Sequence, residues 1–136
     1  MSQVELYLNQ AKQSNDTYLT GVLLNMAETE TKHAKSIKEI IIKLDSQPML
    51  VDKLLSQIIG LLPAQLFSII GEYNLLWYNF TLESIAIHDY RFFLSFLDIN
   101  SKIERELAVV LLNNMIEEDL HRHWFKGQWD SFKRNK

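Results

Sequence analysis

Apolar and polar residues follow one another along most of this chain with the spacing of helices. The clearest series is Leu19, Leu23, Met26, Glu30, His33, Ile37, Ile40 and Leu44, in steps of four and three. Such steps place every member on one face, as a core-facing seam requires. A second seam, Leu107, Leu111, Asn114, Glu118, His121 and Phe125, runs near the other end of the chain. A third passes through Leu66, Ile69, Tyr73, Leu76, Phe80, Glu83 and Ile87, and a shorter one through Val4, Tyr7, Leu8 and Ala11.

Breaks between these seams define the elements. A first helix is expected over about 2–13, closed by Ser14-Asn15-Asp16-Thr17, a cluster of side chains that start helices. A second helix then reaches about Leu44, where Asp45-Ser46-Gln47-Pro48 ends it, because proline and the residue before it resist helix. A short connecting helix over 49–60 stops at Gly60 and Pro63, and a long third helix follows over about 64–97. Asp98-Ile99-Asn100-Ser101 forms the next turn, with Asn100 or Ser101 as cap, and the last helix covers 102–125, with an extension towards Phe132. The fold class expected is all-α: residues 1–136 form a single domain, an antiparallel four-helix bundle with a short connecting helix between its second and third main helices.

Composition narrows the chemistry. A net charge of −3 gives no reason to expect nucleic acid as a partner. The absence of cysteine excludes disulfides, iron–sulfur clusters and thiolate zinc sites, so any metal must sit on carboxylates and imidazoles. The first residues, Met-Ser-Gln-Val-Glu, lack the basic and apolar regions of a signal peptide, and a cytoplasmic address is expected. Residues 58–80 are strongly apolar, but Pro63, Gln65, Glu72 and Asn74 interrupt them. No transmembrane span is expected there, which leaves peripheral contact with a membrane surface as the remaining membrane role.

Two positions in the second seam and two in the last break the apolar rule in the same way. Glu30 and His33, like Glu118 and His121, are a glutamate and a histidine three residues apart. An i, i+3 pair projects from one helical face, so carboxylate and imidazole can meet one ion. Burying these groups is costly unless a cation or a hydrogen-bonded partner compensates them. With four histidines and ten glutamates, chance supplies about 0.3 such motifs, so two in apolar seams favour metal over a pair of satisfied Glu–His contacts.

On the third helix Thr81, Ser84, His88, Arg91 and Ser95 read as a solvated face, and Glu83 lies roughly opposite, the best candidate for a fifth ligand. A glutamate at a helix–helix rim is the competing reading of Glu83, and Glu72 is a poorer choice. The first helix carries no carboxylate at Met1 to Gln3, the level of Glu30; its nearest acid, Glu5, stands about one turn closer to the loop. His88 and His123 read as surface residues, and Glu28, Glu117 and Asp119 as exposed or flanking groups. Trp124, Phe125, Trp129 and Phe132 read first as core packing, with a subunit or membrane contact as the sharper alternative.

Three segments carry a resemblance: Met26-Ala-Glu-Thr-Glu-Thr-Lys-His-Ala34, Leu82-Glu-Ser-Ile-Ala-Ile-His-Asp-Tyr90 and Ile116-Glu-Glu-Asp-Leu-His-Arg-His123. In order and separation they resemble the ferritin-like superfamily, specifically its rubrerythrin and demethoxyubiquinone hydroxylase branches. The resemblance implies a di-iron or di-manganese centre, with metal on Glu30, His33, Glu118 and His121 and a further ligand at Glu83. In the hydroxylase branch, alignment on Leu82 competes with alignment on Glu83, and the family's first-helix glutamate has no counterpart here.

The function so implied is a di-metal, iron-dependent oxidoreductase acting on dioxygen, peroxide or ferrous iron, or on a small apolar substrate. The alternative is a non-enzymatic helical binding or structural subunit with a degenerate or single-metal site. A homodimer is expected, because a first helix of about 13 residues covers a long bundle incompletely.

Overall fold

The computed structural model describes residues 2–43 and 71–134. Among the described residues the chain is all-helical, with no strand. Its helices are α1 (Gln3–Gln13), α2 (Thr17–Lys43), α3 (Glu72–Leu94) and α4 (Lys102–Arg134). They fall into two compact units: residues 1–64, which hold α1 and α2, and residues 65–136, which hold α3 and α4. The turn expected at 45–48, the helix expected over 49–60 and the stretch 64–70 of the expected third helix lie outside the described residues. No helix among the described residues is long and apolar enough to cross a membrane.

In the first unit, α1 opens with a capping box. The Ser2 hydroxyl accepts the Glu5 N–H at 3.3 Å, and the Glu5 carboxylate accepts the Ser2 N–H at 3.0 Å. Two amide groups that the helix leaves over are thereby satisfied. Asp16 starts α2 in a related way, its carboxylate accepting the N–H groups of Tyr18 at 2.7 Å and Leu19 at 3.1 Å. The α2 seam is buried from Leu19 through Ile40 as its spacing requires. On α1 the buried residues are Leu6, Tyr7, Gln10 and Ala11, whereas Val4 and Leu8 are only half-buried. The inward face is centred between the Leu6–Gln10 and Tyr7–Ala11 rows, about 80° round the helix from the face the sequence suggested.

The second unit is an antiparallel pair. Going down α3 means going up α4: Tyr73 and Trp77 pack against Trp129, Glu83 faces His121, and Tyr90 meets Asn114. The expected helix over 64–97 differs at both ends. Gly71 is extended (φ −48°, ψ 158°), and α3 begins only after it. Glycine is the poorest helix former apart from proline, so a break is least costly there. At the other end α3 stops at Leu94, and the chain tightens into i→i−3 bonds from Phe96 and Leu97 before the turn.

That turn is held by Asp98, whose carboxylate accepts the Asn100 N–H at 2.9 Å, and by Glu104, which accepts the Asp98 N–H at 2.7 Å. α4 runs past Phe125 to Arg134. Lys126 bridges Asp130 at 2.6 Å one turn on, and Trp129 stacks on Tyr73 at 5.6 Å between centroids and lies tilted against Trp77 at 4.5 Å. Lys133 lies 3.7 Å over the same indole. Both kinds of contact reward continued helix at its C-terminal end, where cations also suit the helix dipole.

Candidate metal centre

The second unit carries the densest chemistry. α4 buries Leu107, Leu111, Asn114, Glu118, His121 and Phe125, the same six residues that its spacing singles out. α3 turns Leu76, Asn79, Glu83 and Ile87 inward. Because the two helices are antiparallel, Glu83 comes level with Glu118 and His121. The exposures are 0% for Glu83, 1% for Glu118 and 9% for His121, so three ionisable groups share an interior. His121 Nδ1 stands 3.6 Å from Glu83 Oε1 and 3.6 Å from Glu118 Oε2.

These distances suit an ion. Ligand atoms held about 2.0–2.2 Å from a cation lie roughly 3–3.5 Å from one another. One donor atom from each of Glu83, Glu118 and His121 lies within 4.8 Å of the others, while 3.6 Å is longer than a good hydrogen bond. The donor set of two carboxylates and one imidazole is the type that holds iron, manganese or zinc.

Without an ion the same three groups compensate one another by protonation. Burial is the main force raising the Glu83 carboxyl to about 8; the Glu118 carboxylate adds to it and His121 opposes it. Burial alone would lower His121, but the carboxylates of Glu118 and Glu83 outweigh it and raise the imidazole to about 10.

The first unit carries the second motif. Glu30 and His33 are buried on α2 at 7% and 4% exposure, with His33 Nδ1 3.7 Å from Glu30 Oε2. Glu5, the alternative acid on α1, is exposed, and its carboxylate is engaged in the capping box. The buried polar side chain of α1 is an amide, Gln10.

Other candidates lie at the surface. His88 is exposed beside Asp89, and His123 is exposed against the Asp119 carbonyl. Glu28 is exposed and paired with Lys32 at 2.7 Å. Trp124 and Trp129 are half-buried and Phe125 is in the core.

Asn79 is the buried polar residue that the hydrophobic pattern conceals, because neighbouring Phe80 fits the apolar series better. Its signal is a repeated spacing: Asn79 precedes Glu83 by four, as Asn114 precedes Glu118. Asn114 in turn donates to the Tyr90 hydroxyl at 3.4 Å. Compared with protein-family models, curated proteins and solved structures, this chain gives no match.

Proposed function

We propose that this chain is a ferritin-like di-metal carboxylate protein that uses iron, with manganese as the alternative, to act on dioxygen, peroxide or ferrous iron. Glu83, Glu118 and His121 would hold one ion, and Glu30 and His33 would hold a second. The observation that carries the reading is the joint burial of Glu83, Glu118 and His121 with donor atoms at 3.6 Å. Burying two carboxylates is costly unless a cation compensates them.

The ions would supply Lewis acidity and, for iron, electrons at open coordination positions. The chain's own residues would hold the ions and shape their surroundings. The α3–α4 pairing sets Glu83 against His121, and the buried Ile87 and Phe125, one turn along their helices from Glu83 and His121, would help to exclude water around them. Asn79 and Asn114 stand one turn from the two carboxylates and suit the role of orienting them.

A second reading is favoured by one observation. The raised Glu83 and His121 let the cluster neutralise itself, as a structural, non-enzymatic helical protein would require. Metal analysis separates the two. Protein produced with iron available is expected to carry about two ions per chain, and to lose the one held by Glu83, Glu118 and His121 in Glu118→Ala. Metal-free protein that Glu118→Ala nonetheless destabilises, by taking a carboxylate from the buried His121, would leave the structural reading standing.

A further inference from the structure

We propose that the outward face of α4 is where two copies of this chain pair, the two helices running antiparallel about a two-fold axis. Val109, Leu112, Ile116 and Leu120 follow one another in steps of three, four and four, which places them on the side of α4 opposite its buried row. They are 56, 42, 57 and 65% exposed, so the fold leaves an aliphatic row uncovered along about 16 Å of helix. Surface hydrophobes scattered singly are ordinary, whereas a row with helical period is what one helix offers another. No proposed metal ligand stands on this face, so the pairing is independent of the metal reading.

The row suits a second copy because it matches itself, and an isologous contact sets one patch against the same patch. With the axis level with Asn114, Leu112 of each copy meets Ile116 of the other, and Val109 meets Leu120. Charges agree with this register. Arg105, exposed and in no ion pair among the described residues, comes within about one turn of Asp130 of the other copy, a carboxylate 43% exposed beside Lys126. Antiparallel helices also set opposite ends of their macrodipoles side by side. A bilayer fits less well: one flank of the row exposes Glu106, Asn113 and Glu117, where a helix lying on a membrane surface carries lysine and arginine.

The test is analytical ultracentrifugation of the full chain over a range of concentrations, joined to cross-linking. A row of four aliphatic residues predicts a reversible dimer with a dissociation constant of roughly 1–100 μM. Leu112→Glu and Ile116→Glu should each weaken it by at least about a hundredfold, because symmetry places both new carboxylates of a pair beside the axis. Arg105→Glu should weaken it by about tenfold. The chain has no cysteine of its own, so Asn113→Cys gives a single thiol close to the axis. A short bismaleimide should join that variant to itself and leave Ile85→Cys, on the exposed face of α3, unjoined. Every substituted side chain is at the surface, and circular dichroism establishes that each variant is folded.

A monomer at every concentration would overturn the inference. So would a dimer that both glutamate variants leave intact, or one joined through Ile85→Cys and not through Asn113→Cys. A monomer that binds phosphatidylcholine–phosphatidylglycerol vesicles, and stops doing so in Leu112→Glu, would assign the face to lipid and overturn the pairing as well.

Discussion

At the scale of single residues, the behaviour of the centre is set by protons. Glu83 at about 8 and His121 at about 10 both hold a proton more tightly in the fold than in the unfolded chain. Their contributions to the stability of metal-free protein are therefore fully present below the ordinary carboxyl and imidazole values. They are lost as pH rises, from about 4.5 to 8 for Glu83 and from about 6.5 to 10 for His121. Chelator-treated protein should lose resistance to urea across that range. An ion must displace both protons, so metal affinity should rise with pH, with proton release measurable in weak buffer. Removing the imidazolium leaves the buried Glu118 carboxylate without its cation: His121→Ala should destabilise the metal-free protein by about 3–5 kcal/mol at neutral pH, whereas Glu83→Gln, which replaces a neutral carboxyl, should cost much less. Equal losses in the two variants, read by urea denaturation, would contradict this account of the charges.

At the scale of elements, α1 shows how one acid can look like a ligand and act as a cap. Glu5→Ala should lower stability by roughly 0.5–1 kcal/mol, while Glu5→Gln, which can still accept the Ser2 N–H, should be close to neutral. Both should keep the full metal content, measured by atomic emission on purified protein. The seams of α2 and α4 were readable in advance because each turns one continuous face inward, and a polar residue within such a face stands out by contrast. α1 was harder: with 11 residues its inward row is short, and a rotation of about 80° exchanges Val4 and Leu8 for Leu6 and Gln10 while keeping Tyr7 and Ala11. α3 was harder for another reason. Apolar residues surround it, with Trp77, Ile85 and Phe92 exposed, so periodicity could not choose between Asn79 and Phe80 or reveal the break at Gly71.

At the scale of the whole molecule, an ion that binds only the folded chain must stabilise it. At a hundredfold excess over its dissociation constant, a bound divalent ion adds about 2.7 kcal/mol. For a chain of 136 residues this corresponds to a rise in Tm of about 9 °C, which differential scanning calorimetry with and without chelator would read. An unchanged Tm in saturating Mn2+ and Fe2+ would speak for the structural protein. The expectation of a homodimer is met by analytical ultracentrifugation if the chain sediments at twice its 16.0 kDa mass.

The aromatic stack at the open end of α3 and α4 has an optical consequence. All three tryptophans of the chain, Trp77, Trp124 and Trp129, lie on these two helices, and Trp77 and Trp129 sit 4.5 Å apart. Light absorbed at the red edge of the spectrum, where tyrosine is transparent, therefore excites the second unit and leaves the first one dark. Indole emission is a built-in reporter for the half of the chain that carries Glu83, Glu118 and His121. Far-ultraviolet dichroism, which weighs every helix alike, reports on both halves. Any gap between the two signals during heating would be a direct recording of one half letting go before the other.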